Sequence, residues 1–316
     1  MRCQLRYTPV ITQYTGRAGE GQAEATLPPR TTPPTAASRA LQWPGRDTRG
    51  SIIHTAGEAV PATRQRPALP SMDAETFARL FSAQYAEFAQ DLPLWQHLAR
   101  EAGGPILEIG CGDGRVMRVL AGEGFEVTGI DTNPAMLHRA RHSLSQKMRS
   151  CVHLLEQDVR SMDLPDRYRL IIAPCNTLAG LTDLDLSQAL TRLRVHLQPG
   201  GHLAFEVPWP GEDTADSDEP LSAFLEPESG NPVQVYARQE TDADGKRAVV
   251  TWRYDELLAD GSVRSWSLPT TFYLRRPEDY ATRLTCAGFA EVSLFGSYRL
   301  EPLGPDGPQL IVVCRA

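Results

Sequence analysis

One stretch constrains the chain more than any other: an apolar run, Pro105-Ile106-Leu107-Glu108-Ile109, that breaks into three glycines at alternate positions, Gly110, Gly112 and Gly114. So short an apolar run is a buried strand, and the segment 116–121 after the glycines is helix-compatible. Strand, glycine turn and helix together mark nucleotide binding, whereas glycines alone would mark only a turn. Glycine opens backbone conformations closed to other residues and lets a ligand approach the main chain. The following helix points free N–H groups and a partial positive charge at the same place. The expected ligand carries an adenosine.

Spacing narrows the ligand. The dinucleotide fingerprint needs a glycine at its sixth position, where this chain, counted from Gly110, has Arg115. No GxxxxGK[ST] phosphate loop occurs either, which removes the usual ATPase and GTPase readings. Glu108-Ile109-Gly110-Cys111-Gly112-Asp113-Gly114 instead resembles the first motif of the Rossmann-like S-adenosylmethionine-dependent methyltransferases, small-molecule type. The resemblance implies an α/β fold: a seven-stranded, mainly parallel sheet with helices on both faces. It also implies S-adenosylmethionine as cofactor, with Glu108, Gly110, Cys111 and Gly112 around its amino-acid end.

Downstream residues extend the reading. The second strand closes on Asp131, about twenty residues past the glycines, where an acid is placed to accept from both ribose hydroxyls. As what the resemblance implies, Thr132 and Met136 lie beside the adenosine, and Asp158 and Val159 meet the adenine. Phe77, Leu80, Phe81, Tyr85 and Phe88 form the apolar face of an amphipathic helix. The resemblance implies that this helix is an N-terminal lid with Tyr85 as its aromatic, a half-buried core tyrosine being the alternative. After the fourth strand comes Pro174-Cys175-Asn176-Thr177. It lacks the Pro-Pro-aromatic element of nucleic-acid base methyltransferases and is similar to the Asn-Ser/Thr segment of small-molecule enzymes. Asn176 is accordingly the candidate catalytic and cofactor-contacting residue, with a plain turn residue as its alternative; no general base is identified.

The N-terminal 1–71 reads differently. Its first seventy residues hold nine prolines and nine arginines against four acids, a net of +5 within a total of −7. Such a segment buries too little apolar surface to offset its ordering entropy. It is expected to be disordered, either a processed leader or an extension upstream of a start near Met72. The methyltransferase domain is expected over 72–316. Its acidity is a poor match for phosphate backbones, so no nucleic-acid partner is expected.

Residues 208–231, rich in proline and acids, are expected to be a solvated loop. From 232 to 274 the rhythm becomes alternating, with Asp244-Gly245 and Asp260-Gly261 as hairpin turns. This predicts a small three-stranded antiparallel β insertion near the C-terminal end. Trp252 and Tyr254 share one of its faces and are candidate substrate contacts; the same sheet is alternatively a homodimer contact. Six scattered cysteines without a CxxC pair fit a reducing, cytoplasmic compartment. No apolar run reaches the ~18 residues of a membrane span. His138 and His142 lack a third ligand, so no metal is expected.

The reading is an S-adenosylmethionine-dependent methyltransferase acting on an N or O atom of a small metabolite. A protein or RNA methyltransferase and a non-catalytic cofactor-binding scaffold are the alternatives.

Overall fold

The computed structural model describes residues 3–5, 70–208, 210–212, 220–304 and 309–316. The expected leader therefore lies almost wholly outside the described residues. After β1 (Cys3–Leu5) come α1 (Ala74–Tyr85), α2 (Leu92–Ala102), β2 (Ile106–Ile109), α3 (Arg115–Gly122), β3 (Val127–Asp131) and α4 (Pro134–Ser143). Then follow β4 (Val152–Glu156), β5 (Tyr168–Ala173), α5 (Asp183–Val195), β6 (Leu197–Pro208), β7 (Pro210–Glu212) and β8 (Ser222–Leu225). The chain ends with β9 (Pro232–Thr241), β10 (Arg247–Leu257), β11 (Val263–Tyr273), α6 (Pro277–Cys286), β12 (Ala290–Phe295) and β13 (Gln309–Arg315).

Seven strands form the main sheet in the order β12-β13-β6-β5-β2-β3-β4. Strands β6 to β4 are parallel, while β13 runs antiparallel to β6 and β12 antiparallel to β13. Strand β2 is buried at all four positions, as a central strand covered on both faces must be. One face packs Leu107, Ile109 and Ile171 against α5 and α6 through Leu190, Leu193, Tyr280 and Leu284. The other packs Ile106, Leu170 and Ile172 against α2 and α3 through Trp95, Ala99, Met117 and Leu120. Strand order reverses between β2 and β5. The carboxyl ends of those two strands therefore flank a crevice, the position where open α/β sheets bind ligands.

Local chemistry sets the helix starts. Asp73 accepts from the Thr76 N–H at 2.8 Å to cap α1, and Asn133 accepts from Ala135 N–H at 2.9 Å to cap α4, with Pro134 in its first turn. Gly114 enters α3 at φ +82°, a conformation that favours glycine.

The insertion differs from expectation. It has four strands, β11-β10-β9-β8, because Ser222–Leu225 pairs antiparallel with β9 inside the stretch expected to be loop. Residues 210–212 also leave the loop, pairing with Cys3–Leu5 of the expected leader. Alternation is too short in either segment to read from the sequence. Among the described residues no helix is long and apolar enough to cross a membrane.

Candidate active site

A cavity of about 500 Å³ lies at the carboxyl ends of β2, β3 and β5, walled on one side by α1. Its floor is the glycine loop. Gly110 and Gly112 stand at φ +65° and +53°, and a Cβ on Gly110 would come within 2.6 Å of Thr177 Cγ2. Glu108, Gly110, Cys111 and Gly112 all reach the wall, as do Asp131, Thr132 and Met136 from the β3–α4 segment. Asp158, Val159 and Tyr85 reach it too.

Three expected contacts lie elsewhere. Asn176 is not on the wall, although its neighbours Cys175 and Thr177 are. It takes φ +59° immediately before a 3₁₀ turn, Thr177–Gly180. Trp252 and Tyr254 do not line the cavity either: both are buried in the core between the antiparallel sheet and the main body. The Tyr254 hydroxyl donates to Gln84 Oε1 of α1 at 2.6 Å. Period-two alternation put both rings on one face, and burial of aromatic area carried that face inward.

The charges around the cavity are unusual. Glu108 is 2 % exposed, and its Oε2 has no hydrogen-bond partner among the described residues. Burial pushes its carboxyl up to about 8, against the pull of Arg115. Asp131 is raised by burial as well, while backbone donors oppose the shift. It accepts from Gly112 N–H at 2.9 Å and Asn133 N–H at 2.8 Å, leaving a second lone pair on each oxygen. Asp158 is held low chiefly by the Arg160 guanidinium, and it caps its own turn through Arg160 N–H at 2.8 Å.

Behind the floor runs a buried polar chain that sequence reasoning missed. Arg115 makes a bidentate pair with Asp91, both contacts at 2.7 Å, and its Nη2 also reaches Cys175 Sγ at 3.4 Å. Burial would lower the guanidinium, but the Asp91 hydrogen bonds outweigh it and keep Arg115 charged. Trp95 Nε1 donates to Asp91 at 2.9 Å. Glu206, 3 % exposed, accepts from Cys175 N–H and, at 2.6 Å, from the Tyr298 hydroxyl. One signal was present: a glutamate inside the apolar strand Ala204-Phe205-Glu206-Val207, a residue type almost never buried without partners.

The site suits a cationic adenosine ligand. An acid with one unpartnered buried oxygen, Glu108 Oε2, sits on the wall beside bare main chain, and a second acid keeps acceptor capacity at the next strand tip. On the wall, Glu108, Asp113, Asp131, Asp158 and Asp185 face two guanidiniums, Arg115 and Arg160.

Residues 106–201 match the family model described as a methyltransferase domain. Together with the Rossmann-like strand order, this match supports a class I S-adenosylmethionine-dependent methyltransferase domain. Among curated proteins, the chain is 29 % identical over 166 residues to the putative methyltransferase YqeM of Bacillus subtilis, covering 48 % of this chain and 66 % of that one. The chain spans about two thirds or less of the curated relatives it matches. Among solved structures it is similar to the CcbJ methyltransferase of Streptomyces caelestis, with a TM-score of 0.61 at 20 % identity over 78 % of this chain and 99 % of that one. It is also similar to CalS10, an amino pentose methyltransferase of Micromonospora echinaspora, with a TM-score of 0.58 at 24 % identity over 75 % and 97 %.

Proposed function

We propose that the chain transfers a methyl group from S-adenosylmethionine to an N or O atom of a small metabolite, with an amine as the favoured acceptor. The observation that carries this is the continuity of one cavity from the glycine cradle to the aromatic face of α1, where Phe77, Phe81 and Tyr85 meet it. Its ~500 Å³ falls in the roughly 300–1,000 Å³ range of small-ligand sites.

When bound, the cofactor supplies an already activated methyl group, so the chain's task is positioning and exclusion of water. In this reading Asp131 holds the ribose, Glu108 the ammonium end, and Asp158 with Val159 the adenine. The stacked rings of Phe81 and Tyr85, 4.5 Å apart, line the cavity from α1 and suit a sulfonium or a newly methylated ammonium by cation–π attraction. No histidine lines the cavity among the described residues. That favours an amine, which needs only to shed a proton, over a hydroxyl, which depends more on a tuned base. The amino pentose named for CalS10 supports including amino sugars among the acceptors tried.

The test is transfer of labelled methyl from S-adenosylmethionine to a panel of amino sugars, other small amines and hydroxyl compounds, beside bulk RNA and protein. Label in a small amine, with matching S-adenosylhomocysteine release, is expected. Label only in RNA or protein would replace this reading with a macromolecular one. Cofactor binding with no transfer to any acceptor would favour the scaffold.

A further inference from the structure

Two adjacent residues at the tip of β5, Cys175 and Asn176, have φ +55° and +59°. Neither is glycine, and consecutive side-chain-bearing residues in the left-handed region persist only where the surroundings over-determine them. Cys175 lines the cavity and Asn176 does not. The turn is held from two sides. On the cavity side, Thr177 packs into the space left by the missing Cβ of Gly110, and its hydroxyl donates to Pro174 O at 2.6 Å. On the other side, Cys175 N–H donates to Glu206 Oε1, and the Tyr298 hydroxyl fixes Oε2 at 2.6 Å.

Glu206 sits on β6, one residue past the Ala173–Phe205 pairing of β5 with β6. Neither Glu206 nor Tyr298 touches the cavity. Asp91, Cys175 and Glu206 do bring ligand atoms within 4.8 Å of one another, as a metal site would. The Arg115 guanidinium, however, already bonds Asp91 and Cys175, so the cluster has its cation. A buried carboxylate is costly unless its acceptor capacity is used, and here it is used on one backbone N–H and one phenol.

We propose that Glu206, locked by Tyr298, is a positioning residue that holds the Cys175–Asn176 turn in its left-handed shape and so fixes the cavity wall at the reactive end. The proposal rests on the methyl-transfer reading for its kinetic consequence but not for the brace itself. Tyr298 comes from the segment between β12 and β13, far along the chain, so the C-terminal hairpin sets the shape of a wall built by β5.

The test compares wild-type protein with Tyr298→Phe, Glu206→Ala and Glu206→Gln. Cys175 alkylation by iodoacetamide is followed by peptide mass spectrometry, beside S-adenosylhomocysteine calorimetry and melting curves. Tyr298→Phe and Glu206→Ala are expected to speed Cys175 alkylation at least fivefold, with the donor KM within about threefold and kcat down at least tenfold. Glu206→Gln keeps an acceptor for Cys175 N–H and is expected to restore most of both. Alkylation unchanged in both Tyr298→Phe and Glu206→Ala would overturn the brace. So would alkylation that rises only as far as the melting temperature falls, with Glu206→Gln giving no rescue. If wild-type protein shows no turnover yet alkylation behaves as expected, the brace stands and the transferase reading falls.

Discussion

Thr177 Cγ2 stands 2.6 Å from where a Cβ on Gly110 would be. Two loops that are far apart in sequence, one after β2 and one after β5, thus press together at the floor of the cavity. Gly110→Ala meets both this overlap and the strain of φ +65°. Overpacking of this kind costs about 1–3 kcal/mol of stability. We expect that loss in urea unfolding, with at least tenfold weaker S-adenosylhomocysteine binding by calorimetry. A variant that binds as wild type would show that the loop shifts freely.

Asp131 already accepts from two backbone N–H groups, so its removal loosens the loop as well as the ligand. Asp131→Ala should cost about 1.5–3 kcal/mol of cofactor affinity, the worth of hydrogen bonds to a charged group, and Asp131→Asn less. An unchanged dissociation constant for S-adenosylhomocysteine would remove the ribose assignment.

Burial raises Glu108 from an ordinary carboxylate value of 4.5 to about 8, and Glu206 to about 7. Between pH 4.5 and those values the folded state keeps a proton that the unfolded state has lost. Stability should therefore fall as pH rises across this window, by up to about 1.4 kcal/mol per pH unit for each group. Glu108→Gln should flatten the slope between pH 5 and 8 in urea titrations. An identical slope in the variant would mean that Glu108 is ionised throughout.

Arg79, on α1, bridges two buried acids of the insertion, Glu226 at 3.1 Å and Glu256 at 3.2 Å. Arg79→Ala leaves both without their cation, and breaking a buried pair this way costs about 3–5 kcal/mol. Denaturant unfolding should show it. Glu256→Gln added to Arg79→Ala should recover part of the loss, and no recovery would mean the guanidinium stem, not its charge, matters. Because α1 carries Phe81 and Tyr85 over the cavity, Arg79→Ala should also weaken cofactor binding.

Motifs that depend on neighbours in sequence were legible. Gly110 to Gly114 and Asp131 announce themselves through strand and turn patterns and the Asp158-Val159 pair through the family resemblance; Gly110 to Asp113, Asp131, Asp158 and Val159 reach the same cavity. The antiparallel hairpins were legible from Asp244-Gly245 and Asp260-Gly261, both of whose glycines take positive φ. Strand β8 was not, since four residues in an acid-rich stretch give too little alternation. Trp252 and Tyr254 were placed on one face correctly, but alternation does not say which side of a sheet meets the core. Arg115, read only as the residue that breaks a fingerprint, gains its role from Asp91, the residue just before α2.

The sequence by itself determined the βα rhythm, the cradle and the tips of β2 to β4, because each is written in contacts spanning a few residues. Only the tertiary structure decided what stands against that cradle. Strand order brings the end of β5 beside the end of β2, and buried side chains from α2, β6 and the C-terminal hairpin meet behind them. Those hydrogen bonds join residues from 24 to 92 positions apart, and no local pattern records which polar groups will share a space that excludes water.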